Sequence, residues 1–179
     1  MHTPCDLRRI AIIGAGNAGL DFTLRCVRSG FDVTLEDVLP SRLRRAEQTA
    51  GSLSSPGKLR LVSTVEDAVR DADLAVDFVP DELESKLEIF SMLDRMAPPH
   101  TILCTPSTAL SIADLASCTY RPHLCFALRF PMPNSAELVT TSRSTANAVA
   151  FTQRWLEHLG FTVATFCDPA EHAVAPAKP

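Results

Sequence analysis

One short stretch restricts this chain more than any other: Gly14-Ala15-Gly16-Asn17-Ala18-Gly19. It follows an apolar run, Arg8 to Ile13, and opens an amphipathic stretch, Asn17 to Ser29, that Gly30 closes. A G-x-G-x-x-G motif between a strand and a helix reads as a phosphate loop, the alternative being a Gly-rich turn with no ligand. The first glycine permits the tight turn, the second lets backbone approach a pyrophosphate, and the third lets the helix pack on the strand. The free N–H groups and the positive dipole end of the helix then face the phosphates. Gly14, Gly16 and Gly19 therefore predict a dinucleotide site.

A second strand, Asp32 to Asp37, ends in Leu35-Glu36-Asp37. An acid about 20 residues past the glycines suits the adenosine ribose hydroxyls, and Asp37 is that acid. Its carboxylate repels a 2′-phosphate and no arginine follows immediately, which favours NAD over NADP. Arg42, Arg44 and Arg45 nevertheless stand close by in sequence. The alternative is that Glu36 and Asp37 are simply solvated strand-end acids.

Beyond this point short apolar runs keep alternating with amphipathic ones. Helices are predicted over Pro40 to Ala50, from a Ser63/Glu66 capping box through Ala72, over Asp81 to Met96, from Ser111 to about Ser117, and over Ser144 to Leu159. Strands are predicted over Leu59 to Ser63, Asp73 to Val79, Thr101 to Thr105, His123 to Phe130, Ala136 to Thr141 and Phe161 to Cys167. Alternation of this kind implies an α/β fold, a doubly wound and mostly parallel sheet of the Rossmann type with helices on both faces. Residues 1–168 read as one domain and 169–179 as a flexible Ala/Pro-rich tail.

Composition narrows the function. The net charge of −4 disfavours nucleic acid. No apolar run reaches the 18 or so residues of a membrane span, and the N-terminus lacks signal-peptide character. Cys5, Cys26, Cys104, Cys118, Cys125 and Cys167 form no CxxC pair and no zinc-spaced cluster. They read as packing residues of a reduced, cytoplasmic protein without a metal site.

The segment Asp77-Phe78-Val79-Pro80-Asp81-Glu82-Leu83-Glu84-Ser85-Lys86 carries a resemblance. With the glycine loop, Asp37 and the Thr101 to Ile112 stretch, it resembles the NAD-binding domain of the 3-hydroxyacyl-CoA dehydrogenase family, whose corresponding segment reads E-A-V-P-E-D/N-L-x-x-K. The resemblance covers roughly residues 8 to 168. It implies that Gly14, Gly16, Asn17, Ala18 and Gly19 cradle the pyrophosphate of NAD. Asp37 would bind the adenosine ribose, and Asp81 and Lys86 would lie near the nicotinamide ribose. It also implies an oxidoreductase acting on a 3-hydroxyacyl, acyl-CoA-like or related anionic molecule, with a place in fatty acid metabolism.

Departures from the family pattern fall on the reacting groups. The family's general base is the histidine of H-F-F-N-P; this chain has Arg129-Phe130-Pro131-Met132-Pro133. Arginine stays protonated at neutral pH and cannot be that base. The glutamate that orients the histidine aligns with Thr140, and the substrate-binding serine with Thr108. Arg129 is then expected to bind an anionic group or polarise a carbonyl, with Thr108 hydrogen-bonding the substrate oxygen. Glu137 is expected to pair with Arg129. His100, His123, His158 and His172 read as surface or capping residues. The family continues from a D-T-P-G-F segment into a helical domain; Asp168-Pro169-Ala170-Glu171 lacks the Gly-Phe, so that domain is expected to be missing. Exposed apolar residues near Phe130, Met132 and Phe166 would then favour a homo-oligomer or a partner subunit. The alternative function is a non-catalytic NAD-binding or interaction module.

Overall fold

The computed structural model describes residues 8–51 and 55–168. Cys5, His2, His172 and the 169–179 tail lie outside the described residues. The glycine motif sits between β1 (Arg9–Ile13) and α1 (Asn17–Arg28), as the sequence requires. The chain then runs β2 (Asp32–Glu36), α2 (Pro40–Ala50), β3 (Leu59–Val62), α3 (Val65–Val69), β4 (Leu74–Asp77) and α4 (Leu83–Met96). It continues through β5 (Ile102–Pro106), α5 (Ile112–Ala116), β6 (Cys125–Met132), β7 (Ser135–Thr140), α6 (Ala146–His158) and β8 (Thr162–Cys167). Glycines close α1 and α6: Gly30 and Gly160 stand at φ 93° and 85°, just past each helix end.

All eight strands join one sheet in the order β3-β2-β1-β4-β5-β6-β7-β8. Every pairing is parallel except the β6–β7 hairpin. The expected doubly wound fold is therefore present. Strand order reverses between β1 and β4, so the switch-point crevice opens beside the glycine loop.

Alternation along β1 shows how the two layers form. Ile10 and Ile12 enter a core under α1, α2 and α6, with Leu20, Phe22, Ala46, Trp155 and Leu156. Ala11 and Ile13 enter a second core under α3, α4 and α5, with Val69, Phe90, Leu93 and Leu115. A strand buried on both faces must be apolar throughout, which is why Arg8 to Ile13 shows no polar alternation.

Several boundaries differ from the sequence reading. The α3 cap is Thr64, not Ser63: its Oγ1 accepts from Asp67 N at 3.2 Å. The α4 helix begins at Leu83 rather than Asp81. His123 is not on a strand; it lies in the one-turn helix Pro122–Leu124 that precedes β6. The Ser111 cap is as expected, accepting from Asp114 N at 3.2 Å.

The sequence reading missed one buried anchor. Arg121 donates from Nε to Asp94 Oδ1 at 2.8 Å and from Nη2 to the carbonyls of Asp94 and Ala97 at 2.6 and 3.2 Å. It also bonds the Pro98 carbonyl. Tyr120 N donates to the other Asp94 oxygen at 3.0 Å. One guanidinium thus satisfies the last carbonyls of α4 and ties them to the start of β6. Removing the cation leaves a buried carboxylate uncompensated, which costs about 3 kcal/mol or more. Arg121→Met should therefore lower the melting temperature by about 6–12 °C, and a thermal melt checks this.

Candidate functional site

The glycine loop is built around two close approaches. Gly14 sits at φ 98°, and a Cβ there would meet the Phe78 carbonyl oxygen at 3.1 Å. A Cβ on Gly19 would fall 1.9 Å from the Gly14 carbonyl oxygen, so only glycine lets α1 press onto β1 this closely. Gly16 is different: a Cβ there would meet no atom within 4 Å. Gly16 is the N-cap of α1, no side chain caps the helix, and its first turn holds no acid. Asn17 and Ala18 are exposed in that first turn. Uncapped N–H groups beside open space fit a pyrophosphate, so these residues suit the cofactor that the sequence implies.

Asp37 follows β2 as expected, but it is buried and already engaged. Its Oδ2 accepts from Ala15 N at 2.8 Å and from Arg42 Nη1 at 3.2 Å, and its Oδ1 accepts from Leu39 N at 2.8 Å. A carboxylate offers about four acceptor sites, so one remains for a ribose hydroxyl. Asp37 therefore also holds the glycine loop against the end of β2. Spacing alone did not reveal the Arg42 contact, because the turn after β2 brings the two together.

Glu36 and Asp37 are not solvated: they are only 4% and 3% exposed. Burial, and then the adjacent Asp37 charge, push the Glu36 carboxyl up from 4.5 to about 7.

Across the switch point, Asp77 ends β4 and Lys86 lies one turn into α4. Lys86 was expected beside the cofactor, yet its side chain is wholly covered, with Nζ 2.6 Å from Asp77 Oδ1. Its apolar stem crosses the second core and only the ammonium reaches the strand end. Any service to a cofactor runs through the β4–α4 connection that it anchors. Burial raises the Asp77 pKa, and the Lys86 charge opposes that rise.

Asp81 is exposed, and its Oδ2 accepts from Thr108 N at 3.2 Å. The carboxylate thus ties the loop after β4 to the loop after β5. Thr108 is exposed there, beside buried Ser107, whose hydroxyl accepts from Leu110 N at 3.0 Å. Arg129 reaches the same loop from β6, with Nε 3.4 Å from the Ser107 carbonyl. The structure therefore brings Asp81, Thr108 and Arg129 to one loop, at the carboxyl ends of parallel strands. Glu137 stands opposite Arg129 in the β6–β7 ladder. The expected ion pair between them is not formed, so the half-buried guanidinium keeps its charge available.

Among the described residues no histidine takes the place of a base at this loop. His123 precedes β6, His100 lies 3.7 Å from Asp73, and His158 Nε2 lies 3.1 Å from the Ser29 carbonyl. A further acid was missed in sequence: Asp168 accepts from Ser111 Oγ at 2.8 Å and Ala113 N at 3.0 Å, locking the end of β8 to α5. Among the described residues no cluster of side chains could hold a metal ion, and no helix is long and apolar enough to cross a membrane. Cys26, Cys104 and Cys125 are buried and free, with burial raising their thiol pKa values, so they act as packing residues.

Glu36 makes a pH prediction. Its folded pKa lies above its unfolded value, so the native state binds more protons between 4.5 and about 7. Stability is then highest below the unfolded pKa and falls as pH rises through the folded pKa. Glu36→Gln should remove that slope and be more stable than the parent at pH 8 by about 2 kcal/mol. Urea melts at pH 5 and pH 8 check it; equal slopes for both proteins would sink the assignment.

Comparison with known proteins agrees with this geometry. The sequence pattern of the family described as "3-hydroxyacyl-CoA dehydrogenase, NAD binding domain" matches residues 54–168, more than half of the chain. A probable 3-hydroxybutyryl-CoA dehydrogenase of Bacillus subtilis is 28% identical over 72% of this chain and 50% of its own length. An L-carnitine dehydrogenase of Streptomyces coelicolor is 28% identical over 92% of this chain and 57% of its own. The crystal structure of (S)-3-hydroxybutyryl-CoA dehydrogenase from Ralstonia eutropha shares the fold, with a TM-score of 0.83 at 18% identity, over 91% of this chain and 64% of that one. The chain thus spans about half the length of the relatives it matches. The glycine cradle, the doubly wound sheet and the match over residues 54–168 make this chain a member of the 3-hydroxyacyl-CoA dehydrogenase family, with the sheet of its NAD-binding domain.

Proposed function

We propose that the chain binds NAD(H) along the switch-point crevice and acts with it as an oxidoreductase on a small anionic 3-hydroxyacyl or 3-oxoacyl molecule. The carrying observation is that Arg129, Thr108 and Asp81 meet at one loop on the strand edge that also bears the glycine cradle. Gly14, Gly16, Asn17, Ala18 and Gly19 would hold the pyrophosphate, and Asp37 the adenosine ribose. Asp81, with Lys86 behind it, would fix the edge near the nicotinamide ribose. NAD, when bound, supplies the hydride acceptor.

The remaining chemistry belongs to the chain. Thr108 offers a hydroxyl to the substrate oxygen. Arg129 offers a fixed positive charge to a substrate carboxylate or thioester carbonyl, where oriented donors are most effective. Arg129 cannot take a proton, so turnover should fall below that of a site with a histidine base by about 10² to 10⁴-fold. The acyl-CoA class of substrate follows the names of the relatives. The free buried thiols agree with a cytoplasmic setting. Exposed Met132 and Phe166, at 65% and 48%, suit association with a second copy or a partner subunit.

Three measurements test the reading. NADH at millimolar concentration should raise the melting temperature, because a ligand of the native state alone stabilises it; no shift rules the cofactor reading out. Gly16→Ala should change stability by less than about 1 kcal/mol, since its methyl meets no protein atom, yet weaken NADH at least tenfold by occupying the phosphate space. Acetoacetyl-CoA should oxidise NADH slowly, and Arg129→Met should abolish that rate. Arg129→His alone should not restore fast turnover, because Thr140 replaces the carboxylate that would orient the ring.

A further inference from the structure

The two edges of the sheet are unlike. At one edge β3 is four residues long and carries the exposed Arg60, with exposed Lys58 just before it. Short length and a cation guard an edge against another strand. At the other edge β8 has six residues, Thr162-Val163-Ala164-Thr165-Phe166-Cys167, with no charge and no proline. Its register with β7 runs unbroken from Ser135/Thr162 to Thr140/Cys167. An uncharged edge of strand-forming residues without a bulge is a template for pairing. Among the described residues no strand lies beyond it.

The backbone shows which groups of β8 are turned outward. Thr162 N donates to the Asn134 carbonyl and Asp168 N to the Thr140 carbonyl, both at 2.8 Å. Alternation then turns the even-numbered residues toward β7, and the N–H and C=O of Val163 and Thr165 away from it. These two residues bracket Ala164. A two-fold axis through Ala164, normal to the sheet, sets Val163 opposite Thr165 of a second copy, and Thr165 opposite its Val163. Every outward N–H of the two residues then meets an outward C=O, so this edge is complementary to itself. Charge permits the meeting. Glu137 stands beside Ala164 across β7, and three strand spacings, about 14 Å, would separate it from its counterpart, which is beyond the screening length. Phe166, 48% exposed, would lie across Thr162 of the second copy.

We propose that two copies of this chain join antiparallel through β8, making one continuous sheet from two eight-stranded ones. The dimer deepens the association proposed above and is independent of NAD, since the glycine cradle lies at β1, well inside each sheet. Antiparallel pairing turns the two cofactor crevices to opposite edges of the joined sheet. The pairing buries little apolar surface beyond Phe166, so the dimer is reversible, with a dissociation constant of about 1–100 µM.

Sedimentation of the full chain over about 1–500 µM should show the mass rise from 19.4 kDa toward twice that value. Thr165→Pro removes an outward N–H and none that β7 uses. It should hold the chain monomeric, with a melting temperature within about 3 °C of the parent. Ala164→Lys, at an exposed position, sets two ammonium groups directly opposite each other and should do the same even if the proline variant folds poorly. Ala164→Cys places two thiols on Cα atoms about 4.5 Å apart, within disulfide reach. Mild oxidation should then link two chains well above the background set by the exposed Cys167 of the parent. A chain monomeric at every concentration rules out this dimer and association with a second copy together. A dimer that survives both Thr165→Pro and Ala164→Lys, or that Ala164→Cys does not link, overturns the β8 pairing and leaves association standing.

Discussion

The pressing of α1 onto β1 at Gly14 and Gly19 is the contact on which the rest of the site depends. Any side chain at residue 19 would push the helix from the strand, because its Cβ would meet the Gly14 carbonyl at 1.9 Å. With the helix seated, its uncapped N-terminus lies at the sheet edge. Phe78 closes on Gly14 from β4, and the Asp37 carboxylate clamps Ala15 from β2. Three strands are thereby registered around one loop. The positive helix end and the open space at Gly16 are consequences of that register rather than separate features.

Charge is handled differently on the two sides of this loop. At Asp37 the almost wholly buried carboxylate is satisfied by backbone donors and Arg42. Glu36, next to it, has no cation and gives up its charge near neutral pH instead. At Asp77 the solution is a buried ion pair with Lys86. Such a pair contributes little net stability, but breaking it is costly. It therefore fixes the β4–α4 connection in one arrangement, and with it Asp81 and the loop that carries Thr108.

The chemistry open to the loop after β5 follows from the side chain at residue 129 rather than from fold. A fixed cation at residue 129 keeps the ability to hold negative charge and loses the ability to move a proton. The site is thus suited to binding and orientation more than to proton transfer. On the far side of β6, the same strand presents Phe130 to an aromatic groove. Alternation along one strand gives the chain two chemically distinct surfaces a single residue apart.

The fold class, the cradle glycines and the acid at residue 37 were legible in the sequence, because each depends on local rules. A strand buried on both faces must be apolar, a helix pressed onto it needs glycine, and strand length sets where the acid falls. The same locality made the Ser111 cap readable and left the α3 cap uncertain by one residue, since Ser63 and Thr64 are chemically alike. Contacts between distant segments were not legible. Lys86 was expected beside the cofactor because helical spacing cannot show that Asp77 waits under it. Arg121 and Asp94 are 27 residues apart, and Asp168 meets Ser111 across 57. The Glu137–Arg129 pair was expected from proximity in the hairpin, yet cross-strand neighbours do not pair when one side chain turns to a backbone carbonyl. Sequence alone determined that this chain would build a glycine turn under a helix N-terminus on a parallel sheet. Only the tertiary structure decided which charges are buried, which are paired and which are left available, because those depend on what the packed layers exclude from water.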